Sequence, residues 1–100
     1  MAVHEISSGD FAEKISKGKV LIKYEADWCG PCRMITPVIE ELSNEMKDIK
    51  FYKLDVDQSP DVASQYDVMG IPTLILFNNG KEVKRIVGLR SKDDLKRELR

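Results

Sequence analysis

The order of apolar segments predicts an α/β fold in which one central mixed sheet carries helices on both faces. Three observations support it. Apolar runs of strand length alternate with helical patterns, and connections this short imply parallel strands joined by right-handed crossovers. Further on, two apolar-rich segments flank Asn78-Asn79-Gly80, which is hairpin chemistry and adds an antiparallel pair. Between a strand pattern and a helix pattern stands Trp28-Cys29-Gly30-Pro31-Cys32, which holds both cysteines and the only tryptophan of the 100 residues.

Taken in order, Val3-His4-Glu5-Ile6 reads as a short edge strand. Ser7 or Ser8 can cap a helix in which Phe11 and Ile15 share a face, and Gly18 ends it. Val20 to Ala26 is a strand, apolar on both faces in its first half, as a central strand should be. Residues 31 to about 47 carry the clearest helical pattern, with Met34, Ile35, Val38, Ile39, Leu42 and Met46 apolar. Pro37 removes an N–H inside it, so a kink is expected there. Ile49 to Val56 is a second strand. Ser59-Pro60 supplies a cap and a proline at the first helical position, opening a short helix through about Tyr66. Thr73 to Phe77 and Glu82 to Val87 form the hairpin. A last helix begins at Ser91, where Ser91-x-x-Asp94 resembles a capping box, and Leu95 and Leu99 face inward. The order reads βαβαββα, with no internal repeat or linker, and residues 1–100 form one domain.

Composition narrows the function. At 42% hydrophobic and 33% charged residues, the chain is an ordinary soluble globular protein. A net charge of -1 gives no electrostatic case for nucleic acid or an anionic membrane. No apolar segment approaches the roughly 18 residues needed to span a bilayer. The start, Met1-Ala2-Val3-His4-Glu5, lacks a basic region followed by an apolar stretch, so a cytoplasmic location is expected. There a close cysteine pair is more often catalytic or metal-binding than structural. A zinc site needs four ligands, and two cysteines with a distant His4 do not supply them. A structural bridge over so small a loop would stabilise by only roughly 2 kcal/mol.

Ala26-Asp27-Trp28-Cys29-Gly30-Pro31-Cys32, Pro37, Asp57, Gly70-Ile71-Pro72-Thr73, Phe77, Asn79-Gly80 and Gly88 together resemble the thioredoxin family over most of the chain. The resemblance implies a thioredoxin fold, general reduction of protein disulfides, client proteins that carry them, and recharging by a thioredoxin reductase. It implies no cofactor, and a monomer. It also implies a cis Ile71–Pro72 bond beside the cysteines, with the Ile71 backbone pairing with the client chain like an added strand. Trp28, Gly70, Val87 and Gly88 would complete that docking surface. The bland alternatives are a core role for Trp28 and an ordinary strand-opening Pro72.

The chemistry itself needs an accessible thiolate to attack and a second thiol to release the mixed disulfide. A helix starting just after Cys29 aims unpaired first-turn N–H groups at its sulfur and favours the thiolate. Cys29 is therefore the expected nucleophile and Cys32, about one turn on, the resolving thiol. Pro31 stiffens the ring and Gly30 permits the tight backbone. An isomerase or oxidant is the runner-up; Gly30-Pro31 between the thiols and the missing leader disfavour it. A binding module that uses the Ile71-Pro72 edge, with incidental thiols, is the reading from another class.

Two positions depart from the family. Its members usually carry a buried Asp six residues before the first cysteine, and often a Trp four before it. This chain has Lys23 and Glu25 there. The resemblance implies that this Asp relays the resolving cysteine's proton, a role that Glu25 or a neutral Lys23 amine would have to take over. Lys23 and Glu25 share a strand face and can pair. Lys53 matches another charged family position nearby. A carboxylate near Cys32 opposes its thiolate, whereas an ammonium favours it. At ~6 Å and an effective dielectric near ~20 the Coulomb energy is about 3 kcal/mol, an upper bound because Glu25 offsets it. Lys23 is thus expected to favour the reduced form, unless it snorkels to the surface.

Overall fold

The computed structural model describes residues 3–100. Met1 and Ala2, the first residues of the expected domain and of the segment read for a leader, lie outside them. Nine elements follow one another: β1 (Val3–Glu5), α1 (Ser8–Ile15), β2 (Lys19–Glu25), α2 (Gly30–Glu45), β3 (Ile49–Asp55), α3 (Pro60–Gln65), β4 (Thr73–Asn78), β5 (Lys81–Val87) and α4 (Lys92–Leu99). The full order is βαβαβαββα. The string βαβαββα counts only from β2 onward and omits β1 and α1, which their own patterns foreshadow.

One five-stranded sheet runs β1-β3-β2-β4-β5. β3 is parallel to both β1 and β2, while β4 is antiparallel to β2 and to β5. β2 thus lies in the middle, which is why its residues are apolar on both faces. Alternation along it sends Val20, Ile22 and Tyr24 into one core and Leu21 into the other. The first core gathers Phe11, Ile15, Val62, Ile75 and Phe77 beneath α1 and α3, with Phe11 edge-on to Phe77 at 5.7 Å between ring centroids. The second packs Ile35, Ile39 and Leu42 of α2 and Leu95 and Leu99 of α4 against Leu21, Phe51, Leu74 and Ile86. Met34, part of the apolar pattern in the sequence, falls outside this stripe and is exposed. α2 continues through Pro37 to Glu45.

Local chemistry sets the ends. Asn79 (φ 51°) and Gly80 (φ 86°) both take the left-handed conformation that a two-residue hairpin requires, and Asn78, the last residue of β4, pairs with Lys81 of β5. Gly18 (φ 69°) clasps this turn: its N–H donates to Asn79 Oδ1 at 2.8 Å, and its carbonyl accepts from Asn79 N at 3.0 Å. Ser91 caps α4 by accepting from Asp94 N at 3.2 Å, but the Asp94 carboxylate turns to Arg97 rather than closing the box. Ser59 stands at the N-cap of α3, yet its hydroxyl accepts from Ser8 N at 3.2 Å and so ties α3 to α1. Two basic residues of α4 reach across to α2. Lys92 and Lys96 bridge to Glu45 of α2, and these hydrogen bonds hold the Glu45 carboxyl below its ordinary range.

The Tyr24 hydroxyl is buried and has no hydrogen-bond partner among the described residues. Burial first, then the neighbouring Tyr66, pushes its ionisation upward, so it remains a neutral phenol. An unpaired buried hydroxyl is a net cost to the fold. Tyr24→Phe is expected to stabilise the protein by about 1 kcal/mol in urea or guanidinium unfolding; an equal loss would show that the hydroxyl has a partner.

Candidate active site

β2 ends at Glu25 and a tight turn follows, in which Cys29 N donates to Ala26 O at 3.1 Å. This puts Cys29 at the N-cap of α2 in an extended conformation, φ -90° and ψ 107°. Its sulfur does what a capping oxygen does elsewhere: it accepts from Cys32 N at 3.2 Å. Pro31 fits the first turn because the N–H it lacks would have no helical partner there. Cys29 and Cys32 are joined as a disulfide with Cα atoms 5.3 Å apart. Both are buried, at 4% and 2% exposure, so burial alone does not distinguish them. The capping geometry does, because it aims an amide at Cys29 and not at Cys32.

The docking residues read from the resemblance gather beside this pair. The Ile71–Pro72 peptide is cis, and the Ile71 carbonyl oxygen lies 3.8 Å from Cys29 Sγ. Gly88, at φ 91°, donates its N–H to Pro72 O at 2.8 Å. Thr73 pairs with Val87 across β4 and β5, and a Cβ on Gly70 would sit 3.8 Å from Val87 Cγ1. Trp28 is 67% exposed, which excludes the core role, and its indole Nε1 donates to Asp57 Oδ2 at 2.7 Å. Trp28, adjacent to Cys29 in the chain, and Val87, beside Gly70, are exposed apolar side chains.

Lys23 does not snorkel. It is 2% exposed, on the α2 side of β2. Its Nζ lies 2.6 Å from Glu25 Oε1 and donates to Thr36 Oγ1, also at 2.6 Å. Thr36 in turn donates to the Cys32 carbonyl at 2.9 Å. Lys53 is opposite Lys23 in the β2–β3 register, and both line a small cavity with Thr36 and Glu40. The two lysines therefore do share one region, with Glu25 neutralising the buried one.

The Thioredoxin family model matches residues 2–100. The thioredoxin of Chlamydia trachomatis serovar D is 53% identical over 93 residues, covering 93% of this chain and 91% of that protein. A thioredoxin of Staphylococcus epidermidis is 45% identical over 96 residues, covering 95% and 92%. The structure of a mutant thioredoxin from Halobacterium salinarum NRC-1 superposes with a TM-score of 0.88 at 38% identity, covering 97% of this chain and 87% of that one. The chain belongs to the thioredoxin family. With that membership and a paired Cys29 and Cys32, it is a dithiol thiol–disulfide oxidoreductase with protein-disulfide reductase activity. A reductase and disulfide-bearing clients are its partners in general terms.

Within this thioredoxin site, sequence reasoning misses Thr36, although a signal exists. A threonine four residues after Cys32 on a helix is placed to donate to the Cys32 carbonyl. It also leaves Asp57 without a role, and no local signal shows that it would hold the Trp28 indole. Among the described residues no cluster of three or more His, Cys, Asp or Glu could hold a metal ion, and no helix is long and apolar enough to cross a membrane.

The buried pair makes an asymmetric stability prediction. Glu25→Ala strands an ammonium in the core and is expected to destabilise by about 2 kcal/mol, at the low side for a buried pair because Glu25 is partly exposed. Lys23→Met fills the same space with apolar atoms and is expected to be neutral or stabilising. Denaturant unfolding of both variants checks this; equal destabilisation would contradict it.

Proposed function

We propose that Cys29 is the nucleophile of this reductase and Cys32 the resolving thiol. The observation that carries the assignment is the Cys32 N–H directed at Cys29 Sγ at a helix N-terminus, 3.2 Å away. That donor and the positive end of the α2 dipole favour the thiolate at residue 29. In the reduced protein this thiolate attacks one sulfur of a client disulfide. A mixed disulfide forms, and the client's other sulfur leaves as a thiolate and takes up a proton. Cys32 then gives up its proton and attacks the Cys29 sulfur, expelling the second client thiolate. Two electrons have passed to the client, and the pair is left as the disulfide described above.

The client strand lies along the Ile71 backbone, with Trp28, Gly70, Pro72, Val87 and Gly88 around it. Exposed Trp28 and Val87, and the Ile71 carbonyl 3.8 Å from the Cys29 sulfur, support this docking. Gly30 and Pro31 hold the ring that brings the two sulfurs together. A thioredoxin reductase returns the two electrons. The protein works as a cytoplasmic monomer of one domain, without a cofactor and away from membranes and nucleic acid. The near-neutral net charge supports that last reading.

Insulin-disulfide reduction with a dithiol donor tests the assignment. Cys29→Ser is expected to abolish turnover. Cys32→Ser is expected to accumulate a mixed disulfide through residue 29. Turnover by Cys29→Ser, or capture of client through Cys32 instead, would reverse the roles.

A further inference from the structure

The resolving thiol belongs to a small apolar cluster beside the disulfide. Cys32 lies with Ala26, Cys29, Val56 and Ile71, all apolar or sulfur. The ion connected to it from the sheet beneath is the Lys23 ammonium, through two hydrogen bonds in series. Lys23 donates to the Thr36 hydroxyl, and the same hydroxyl donates to the Cys32 carbonyl. A threonine hydroxyl has one proton to give, so accepting from an ammonium polarises the bond it makes onward. The buried end of the Lys23–Glu25 pair is thus cationic and is linked to the backbone carbonyl of Cys32, the residue whose thiol must ionise.

We propose that Lys23 and Thr36 are positioning residues that set the ionisation of Cys32 in the reduced protein, holding a buried positive charge where it favours the resolving thiolate. This rests on Cys32 being the resolving thiol. The step concerned is loss of one proton from Cys32 Sγ, which precedes its attack on the mixed disulfide. Other charges face Lys23 as well. Glu25 of β2 pairs with it, Lys53 of β3 and Glu40 of α2 line the same cavity, and Glu5 of β1 is opposite Lys53 in register. All four remain in place in the variants below, so Lys23→Met reports loss of the cation together with the Glu25 carboxylate it leaves unpaired, and Thr36→Val reports the hydroxyl link by itself.

The sign follows directly. A cation that favours the thiolate lowers the pH at which the second thiol of the reduced pair ionises. It also stabilises the reduced form, but only at pH values above that step. There the protein is a weaker reductant than it would be without Lys23.

Thiolate absorbance of the reduced protein, followed against pH without any client, tests this; the two steps belong to the coupled pair, and the upper one is read. Lys23→Met is expected to weaken the upper acid constant about tenfold. Thr36→Val is expected to move it the same way by a smaller factor, and Thr36→Ser, which keeps the hydroxyl, to leave it at wild type. Above the upper step, Lys23→Met is expected to give up electrons to a reference disulfide more readily. An upper step unmoved in Lys23→Met overturns the proposal, as does one unmoved in Thr36→Val. A variant that reduces client more slowly with its thiol titration unchanged also overturns it, pointing to proton transfer instead. Because the titration uses no client, its failure is distinct from failure of the wild-type protein to reduce insulin.

Discussion

A single hydrogen bond, from the Cys32 amide to the Cys29 sulfur, is the constraint around which the molecule is arranged. It exists only if α2 begins immediately after Cys29, and α2 begins there only if β2 stops where it does. β2 is held in the middle of the sheet by parallel β3 and antiparallel β4. α2 is held against it by Ile35, Ile39 and Leu42, which lose their exposure to the same core as Leu21. Burial of that stripe fixes the height and rotation of the helix, and so the direction in which its first amides point. The same antiparallel neighbour, β4, begins just after Pro72, which brings the Ile71 carbonyl against the disulfide. Donor, sulfur and the Ile71–Pro72 edge are therefore consequences of one packing arrangement rather than three separate features.

Into this apolar frame the chain inserts a charge. An isolated ammonium at the position of Lys23 would be strongly disfavoured by lost hydration. Glu25, two residues on along the same strand face, supplies the counter-charge, and Thr36 uses a second proton of the ammonium. The arrangement tolerates burial because its net charge is small, while its local charge is not. The tyrosine between the two, Tyr24, points to the opposite core and makes a contrasting case, a buried polar atom with nothing among the described residues to bind. Polar groups on the α2 side of β2 are connected to the site; the one on the far side is a residue of packing.

Much of this was legible in the residues because their local and long-range demands agree. Asn79-Gly80 can form little other than a tight hairpin turn, Val20 to Tyr24 suits only a central strand, and Cys29-Gly30-Pro31-Cys32 combines a cap with a helix-starting proline. The parts that were not legible are those where a side chain chooses a distant partner over a local one. Ser59 occupies a cap position but bonds Ser8, fifty-one residues away. Met34 belongs to the apolar pattern read for α2, yet it lies off the stripe of Ile35, Ile39 and Leu42 and is exposed. Lys23 was visible as a departure, but whether it would snorkel or remain buried depended on Thr36, whose significance comes from α2 lying over β2. Sequence spacing contains the first kind of information and not the second.

Reduction by this site depends on the sulfur of residue 29 being held as an anion near neutral pH. Alkylation of the fully reduced protein by iodoacetamide, mapped by mass spectrometry across pH, measures this most directly. Residue 29 should react well below the pH at which a free cysteine does, while residue 32 stays protected. A residue 29 no more reactive near neutrality than free cysteine, with residue 32 equally open to reagent, would contradict it.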